Sequence, residues 1–265
     1  FEAQYSRKQS LLINGAKVES VYIKPENSKT EVPVLVLHGW GATMESFKPG
    51  MEVLVKKRRP VVSLNFPRKG GTVPDTHNRE VVEYYSKIGE SYPNWPNEFL
   101  RQSNTIVGLL EKDNIEKTDV IAHSMAGPSV VVAAMLHPEK FLGRTIVLDN
   151  SAGLIGKDSI FRLSKGARAN TSRTETTRNI PVIENETEYL ESTKHITPDY
   201  MAANHLRMAK EIFDISRAKI DAHMLRYLKD KGIKVIIVGG VDDTMFPMES
   251  MQRNVKGDSV AGFVS

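Results

Sequence analysis

The stretch Val120-Ile-Ala-His-Ser-Met-Ala-Gly127 joins a predicted strand to a predicted helix, and it decides how the rest of the chain is interpreted. A chain that turns from strand to helix within about four residues strains the backbone of the residue at the apex and needs small neighbours there. Ser124 stands at this apex, with Ala122 and Ala126 where the general G-x-S-x-G turn has glycines. The alternative interpretation is an ordinary polar turn in which Ser124 only caps the helix.

The sequence on either side predicts an α/β fold with a mostly parallel, doubly wound sheet. Asn14-Gly15 lies between two apolar segments and predicts a β-hairpin at the start of the sheet. Strands and helices then alternate, which is typical of parallel sheets. We predict strands at 32–37, 60–65, 117–121, 144–149, 234–238 and 259–265, and helices at 47–57, 97–113 and 127–136.

The alternation stops at about residue 153, and this break defines two predicted units. We predict an α/β core at 1–152 and 226–265, and a helical cap inserted at 153–225. The inserted segment is polar at first and then has apolar residues at helical spacing, from Tyr200 to Ile215. We expect the cap to cover the carboxyl edge of the sheet, where open α/β sheets bind ligands.

A cluster of basic residues lies at the start of the predicted cap. Between Lys157 and Arg178 there are six basic residues and only two acidic ones, and the net charge of the whole chain is +4. One interpretation is a solvated surface without a partner, and the other is an access region that favours anionic substrates. Nucleic acid is not an expected partner, because no aromatic side chains alternate with these charges as stacking platforms.

Composition excludes several classes of site. The 265-residue chain contains no cysteine, which excludes disulfides, thiolate metal sites and a cysteine nucleophile. No apolar run reaches the ~18–20 residues that span a membrane. We expect a soluble monomer or homodimer that uses no metal and no cofactor, and we favour the cytoplasm, although composition does not determine the compartment.

Three separated motifs carry a resemblance to a known superfamily. They are His38-Gly-Trp-Gly41, Ala122-His-Ser-Met-Ala-Gly127 and Gly240-Val-Asp-Asp-Thr-Met-Phe-Pro247. In this order they resemble the α/β-hydrolase superfamily, in particular its capped serine esterases and carbon–carbon bond hydrolases. The resemblance covers nearly the whole chain except the predicted cap. It departs from the family at Asn65–Gly71, where many relatives have a D-x-P-G-x-G loop.

The resemblance assigns roles to four residues. Ser124 is the expected nucleophile, and a serine hydroxyl needs a base and an orienting carboxylate to react. Asp243 is the expected acid, with Asp149 as the alternative because some relatives place the acid after the preceding strand. The backbone N–H groups of Trp40 and Met125 are the expected oxyanion-hole donors.

The expected base is not among these motifs. In the family it is a histidine after the acid, and none of the chain's histidines follows Asp243. His38 and His123 occupy motif positions that shape loops in relatives, so we do not predict either as the base. We expect the base within about ten residues beyond Ser265, after the last predicted strand. The alternatives are a cap histidine, His195, His205 or His223, or an inactive site.

The sequence therefore predicts a serine hydrolase that cleaves a small carboxylic ester through an acyl-enzyme intermediate. One alternative is hydrolysis of a carbon–carbon bond in a β-diketone-like substrate with the same residues. Another is a ligand receptor that keeps the pocket and lacks turnover, which can dispense with the base. The substrate and the acyl length depend on cap side chains that the sequence does not place.

Overall fold

A computed structural model describes residues 6–67, 77–166, 205–240, 242–255 and 261–264. Its strands form one eight-stranded sheet in the order β1-β2-β4-β3-β5-β6-β7-β8. The strands are β1 Ser6–Ile13, β2 Ala16–Ile23, β3 Val34–Leu37, β4 Val61–Asn65, β5 Asp119–His123, β6 Thr145–Asp149, β7 Lys234–Val238 and β8 Ala261–Val264. β1 and β2 are antiparallel to their neighbours, and all strands from β4 to β8 are parallel. The predicted mostly parallel sheet is confirmed.

The hairpin predicted at Asn14-Gly15 is also confirmed. Ile13 pairs with Ala16, so the connection has two residues, and both have positive φ, +50° at Asn14 and +79° at Gly15. This is the conformation that a tight hairpin turn requires, and Asn and Gly adopt it at little cost. The hairpin forms the antiparallel edge of the sheet.

Helices connect the parallel strands. They are α1 Lys48–Lys56, α2 Arg79–Lys87, α3 Asn97–Lys112, α4 Ala126–Leu136, α5 His205–Arg217, α6 Ala222–Asp230 and α7 Met248–Val255. A further helical segment begins at residue 160 and is described to residue 166. The helices predicted at 47–57, 97–113 and 127–136 correspond to α1, α3 and α4, whereas α2 and α7 were not predicted.

The central strands are buried on both faces. All four residues of β3 are buried, and every residue of α4 is buried as well. The larger apolar cluster includes side chains of α3, α4 and α6, and the smaller one, on the opposite face, includes Met51 of α1. The sheet, with helices packed on both faces, holds the carboxyl ends of β3, β5, β6 and β7 at one edge.

The predicted cap begins and ends at one place on the core. The N–H of Ile220 donates to the Gly153 carbonyl at 3.0 Å, and the N–H of Asp158 donates to Ser216 at 2.8 Å. Residues 167–204 of the predicted cap lie outside the described residues, and the boundary predicted at 225 falls inside α6, which packs against α4 and β7. Within the described ranges, no helix is long and apolar enough to cross a membrane.

Candidate active site

Ser124 lies at the turn between β5 and α4, in a backbone conformation that few non-glycine residues adopt. Its φ is +52°, which costs free energy unless the surroundings hold it. Its N–H donates to the Asp149 carbonyl at 2.9 Å, and its carbonyl accepts from the N–H groups of Gly127 and Ala152, both at 3.1 Å. Hydrogen bonds therefore hold both the N–H and the carbonyl of Ser124. Two of the three are made with Asp149, at the end of β6, and with Ala152, shortly after it.

Small residues surround this turn, as the sequence predicted. Ala122 and Ala126 are fully buried. A Cβ atom at Gly39 would lie 2.7 Å from the Cβ of Ser124, and one at Gly127 would lie 1.8 Å from the Oγ of Ser151. Real Cβ atoms do not approach other atoms this closely, so both glycines are required by close packing. Gly39 brings the backbone of the loop after β3 directly against Ser124.

Trp40 and Met125 directly follow Gly39 and Ser124, the two residues that pack against each other at the turn. Trp40 comes directly after Gly39, and Met125 is the N-cap of α4. No backbone oxygen of the described residues accepts a hydrogen bond from the N–H of either residue. The structure thus places two N–H groups without backbone acceptors on the two chain segments that meet at Ser124.

Asp243 lies in the loop after β7, and its carboxylate holds that loop. Its Oδ1 accepts from the N–H groups of Met245 at 2.7 Å and Phe246 at 3.1 Å, and its own N–H donates to the Gly240 carbonyl at 3.1 Å. Both Ser124 and Asp243 follow the carboxyl ends of parallel strands, which is the edge where this class of sheet binds ligands.

Arg162, in the helical segment 160–166, clamps the Asp243 loop. Its guanidinium donates to the carbonyls of Thr244 at 3.1 Å and Met245 at 2.7 Å and forms an ion pair with Asp158. Burial lowers the pKa of Arg162, and the Asp243 carboxylate opposes this effect. Arg162 was predicted as part of a basic surface, whereas the structure shows it bound to the protein; Arg168, Arg173 and Arg178 of the same cluster lie outside the described residues.

Asp149, the alternative acid, forms a cross-strand pair with His123. Its Oδ2 lies 3.0 Å from His123 Nδ1, and its Oδ1 accepts from the side chain of Asn150 at 3.3 Å. The ring of Phe47 packs on His123 at 5.5 Å between centroids. Asp149 therefore already has a histidine partner, at the end of β5 directly before Ser124.

His38 is a buried neutral histidine. Its Nε2 accepts from the N–H of Phe66 at 3.2 Å, which leaves the proton on Nδ1, where it donates to the Gly39 carbonyl at 2.8 Å. Burial lowers the pKa of His38 to about 4, against a smaller opposing effect of that backbone hydrogen bond. These contacts hold the loop that carries Gly39, in keeping with the expectation that His38 shapes this loop.

The other histidines with described side chains have partners elsewhere. His137 Nδ1 lies 3.4 Å from Glu139, His223 Nε2 lies 3.3 Å from Glu90, and the His77 ring packs on Tyr92. His195 and the side chain of His205 lie outside the described residues. In the part of the chain that is described, no group of three acidic or histidine side chains is arranged to hold a metal ion.

A cavity of about 550 Å³ opens beside the Ser124 turn. Gly39 and Met125, the neighbours of Ser124, line it, together with the end of β4 and the first turns of α5. Its lining includes His38, Phe66, Gln102, Arg207 and Glu211. The volume is that of a small-molecule site.

One wall of this cavity carries a buried polar network from three helices. Arg207 of α5 donates to Glu211 at 2.7 Å and to Glu98 of α3 at 3.2 Å. Gln102 bridges Glu98 and the hydroxyl of Ser129 on α4, at 3.3 Å and 2.6 Å. Burial also raises the pKa of Asp214, one turn further along α5. The network ties α5 to the core and makes this wall polar.

Sequence reasoning missed most of these supporting residues. Arg162, Gln102 and Arg207 reach the site from helices distant in sequence, and no local pattern marks such contacts. Asn150 had a weak local signal, because a polar residue directly after a buried strand falls at the ligand-binding edge of the sheet.

Comparison with known proteins shows the fold. No protein-family model matches the chain, and no curated protein matches its sequence. Solved structures do match over nearly its whole length. An esterase from Exiguobacterium antarcticum superimposes with a TM-score of 0.61 and 12% identity, covering 97% of this chain and 90% of that one.

Two further structures give the same result. A serine hydrolase from the polyaromatic hydrocarbon-degrading bacterium Cycloclasticus zankles has a TM-score of 0.62 and 13% identity, covering 98% and 89% of the two chains. The 2-hydroxy-6-oxo-6-phenylhexa-2,4-dienoate hydrolase from Rhodococcus sp. strain RHA1 has a TM-score of 0.59 and 18% identity, covering 98% and 90%. All three are α/β hydrolases. From its strand order and these matches, the chain has the α/β-hydrolase fold.

Proposed function

We propose that the protein is a serine hydrolase that cleaves a carboxylic ester through an acyl-enzyme intermediate, with Ser124 as the nucleophile. The observation that carries the proposal is the backbone of Ser124, held at φ +52° with Gly39 packed against its Cβ. Such strain persists only where the surrounding structure maintains it, and it is concentrated at functional sites. A serine that merely capped α4 would not need this conformation.

The proposed reaction begins with removal of the Ser124 hydroxyl proton by a base. Oγ then attacks the ester carbonyl carbon, and the carbonyl π electrons move to the oxygen. The N–H groups of Trp40 and Met125 stabilise this oxyanion, which is worth about 3–4 kcal/mol for each donor. When the intermediate collapses, the C–O bond to the alcohol breaks and the alcohol takes the proton from the base. The base then deprotonates a water molecule, which attacks the acyl carbonyl carbon. The bond from this carbon to Ser124 Oγ breaks, Oγ takes the proton back from the base, and the carboxylic acid product is released.

Asp243 is the proposed partner of the base. Two backbone N–H groups fix its Oδ1, so the direction of the carboxylate is set before substrate binds. Asp149 is less suited to this role because His123 and Asn150 already engage both of its oxygens. We assign the base to a histidine whose side chain the structure does not describe, and His195 and His205 of the predicted cap are the candidates within the sequence.

The cavity supports a small, partly polar substrate. Gly39 and Met125 line it, so a carbonyl bound near Ser124 would have the rest of the molecule in this space. The wall with Arg207 and Glu211 favours a substrate with polar groups over a plain aliphatic chain.

Hydrolysis of a carbon–carbon bond is the second candidate. The same polar wall favours it, because β-diketone-like substrates carry several oxygens that need hydrogen-bond partners once they are buried. The Rhodococcus structure that shares this fold is named as a hydrolase of 2-hydroxy-6-oxo-6-phenylhexa-2,4-dienoate, a compound that carries hydroxyl, oxo and carboxylate oxygens. Comparing turnover of an ester and a β-diketone by the same sample distinguishes the two reactions.

Labelling with a fluorophosphonate probe tests the proposal on the full-length protein. We expect the wild type and a Ser86→Ala control, at an exposed serine of α2, to be labelled at Ser124. Ser124→Ala should lose labelling and the hydrolysis of p-nitrophenyl acetate and butyrate, while its free energy of unfolding stays within about 1 kcal/mol of the wild type. Labelling that persists in Ser124→Ala would remove Ser124 from the mechanism. A wild type that neither labels nor turns over would contradict the hydrolase proposal and support a receptor.

A further inference from the structure

The end of β6 connects the two halves of the candidate site. Ser124 follows β5 and Asp243 follows β7, and β6 lies between them in the sheet. The Asp149 carbonyl, at the end of β6, accepts from the N–H of Ser124 at 2.9 Å. Whatever fixes the residues after β6 therefore also fixes the Ser124 turn.

Asn150 extends this connection to the Asp243 loop. Its Oδ1 accepts from the N–H of Gly240 at 2.7 Å, and the Gly240 carbonyl accepts from the N–H of Asp243 at 3.1 Å. On its other side, its Nδ2 donates to Asp149 Oδ1 at 3.3 Å. The Asn150 side-chain amide is thus hydrogen-bonded to Asp149, which accepts from Ser124, and to Gly240, which accepts from Asp243.

The backbone of Asn150 is held in a conformation that suits this role. Its φ is +42°, and its N–H donates to the Val238 carbonyl at 2.9 Å, at the end of β7. Asparagine tolerates positive φ better than most residues, yet the conformation still requires local support. The main chain and the side chain of Asn150 both bind the segment that leads to Asp243, so the amide has little freedom to move.

We propose that Asn150 is a positioning residue that sets the distance and the orientation between Ser124 and the Asp243 carboxylate. This inference rests on the proposed function. Asp243 orients the base only if its loop keeps a fixed place relative to the nucleophile, and a misplacement of about 1 Å costs on the order of 100-fold in rate. Asn150 acts through the Gly240 N–H and contacts no reacting atom.

The test is Asn150→Gly, which removes the side chain and suits a positive φ. Asn114→Gly is the matched control, since Asn114 has φ +53° and follows α3, before β5 begins. We expect Asn150→Gly to lower kcat and the rate of fluorophosphonate labelling by about 10- to 100-fold with little change in KM. Asn114→Gly should leave both rates unchanged. Asn150→Asp keeps an acceptor for the Gly240 N–H but replaces the donor to Asp149 Oδ1 by a carboxylate oxygen, so it should recover only part of the lost rate.

The pH profile separates positioning from general stability. A carboxylate near a histidine raises the pKa of the histidine, so a displaced Asp243 should lower the pKa of the base. The midpoint of the rising limb of kcat/KM should therefore move to lower pH in Asn150→Gly. Thermal unfolding of the same variant reports any loss of fold.

The outcomes distinguish this inference from the proposed function. If the wild type is not labelled at Ser124, the proposed function fails. If the wild type is labelled and Asn150→Gly reacts at the wild-type rate with an unchanged pH profile, the positioning role is wrong. A lower melting temperature with unchanged kcat and an unchanged pH midpoint would also contradict it, because a purely structural residue gives that result.

Discussion

The Ser124 turn and the Asp243 loop lie at the same edge of the sheet but are held in different ways. Backbone hydrogen bonds to Asp149, Gly127 and Ala152 fix the Ser124 turn, and close packing against Gly39 leaves it no room. In the Asp243 loop the carboxylate caps its own turn, and side chains of Arg162 and Asn150 reach in from other segments.

This difference has a practical consequence. Backbone contacts in a packed sheet are lost only when the fold is disturbed, whereas a side-chain clamp is removed by one substitution. We therefore expect changes around Ser124 to affect stability and changes around Asp243 to affect rate. The following predictions test that division, beginning with the largest expected effect.

Replacing Asp243, the proposed acid, should give the largest effect on rate. Asp243→Asn keeps an oxygen that accepts from the N–H groups of Met245 and Phe246, so the loop is retained while the negative charge is lost. We expect kcat to fall by about 10⁴-fold, as for loss of the carboxylate in a serine–histidine–aspartate triad. The matched change Asp149→Asn should stay within about tenfold of the wild type. A reversal of these two results in the ester assay would make Asp149 the acid.

His38 should make the fold sensitive to acid. The unfolded chain protonates this residue near pH 6.5, but the folded protein does so only near its lowered pKa of about 4. Its contribution to stability is therefore complete above pH 6.5 and is lost as pH falls toward 4, by about 1.4 kcal/mol per pH unit and about 3 kcal/mol in all.

Urea unfolding between pH 7.5 and pH 4.5 measures this contribution. His38→Gln, which does not titrate, should lose less stability across that range than the wild type, even if it is less stable at pH 7.5. Parallel pH dependences for the two proteins would mean that His38 titrates normally in the folded state.

Crowding at the Ser124 turn should lower stability. In Gly127→Ala the new methyl group would meet Ser151, which is fully buried, so we expect a loss of about 1–3 kcal/mol in the free energy of unfolding. Gly50→Ala, in α1, is the control, because a Cβ there meets no atom within 4 Å. It should stabilise the protein by about 0.5–1 kcal/mol. Equal effects of the two substitutions on the melting temperature would show that the turn is not tightly packed.

Loosening the Asp243 loop should give the smallest effect. Arg162→Lys keeps the positive charge, but an ammonium group cannot reach the carbonyls of Thr244 and Met245 and also Asp158 with the same geometry. We expect kcat to fall by about 3- to 10-fold, equivalent to about 1 kcal/mol, with stability nearly unchanged. Arg79→Lys, in an exposed ion pair on α2, should change neither property. A large loss of stability with normal kcat would assign Arg162 to the fold alone.

Much of the fold could be predicted from the sequence because its signals are local. The Asn14-Gly15 turn, the apolar strands and the small residues around Ser124 each require only near neighbours. Helix α2 was missed because it buries only Val81 and Tyr85, so its apolar pattern is short. The other sequence feature that marks the start of α2 is Asn78. Its side chain caps the first turn by accepting from the N–H groups of Glu80 and Val81.

The candidate site could be predicted only where a motif marks it. Ser124 and Asp243 belong to such motifs, and the structure puts both at the carboxyl edge of the sheet. The contacts of Arg162 with Thr244 and Met245 and of Arg207 with Glu98 join segments about 80 and 109 residues apart. Charge and hydrophobic pattern carry no information about such pairings, so a basic residue that clamps a loop has the same local sequence signature as a solvated one.

The hydrogen bond between Gly153 and Ile220 brings the two ends of the intervening segment to one point of the core. Because the chain leaves and rejoins the core at one point, a segment of another length joined to the same two residues leaves every strand in its register, and the entropy of closing the loop changes only slowly with its length. Arg162 belongs to this segment and clamps the Asp243 loop, so a replacement segment would also have to supply the hydrogen bonds that Arg162 makes to Thr244 and Met245.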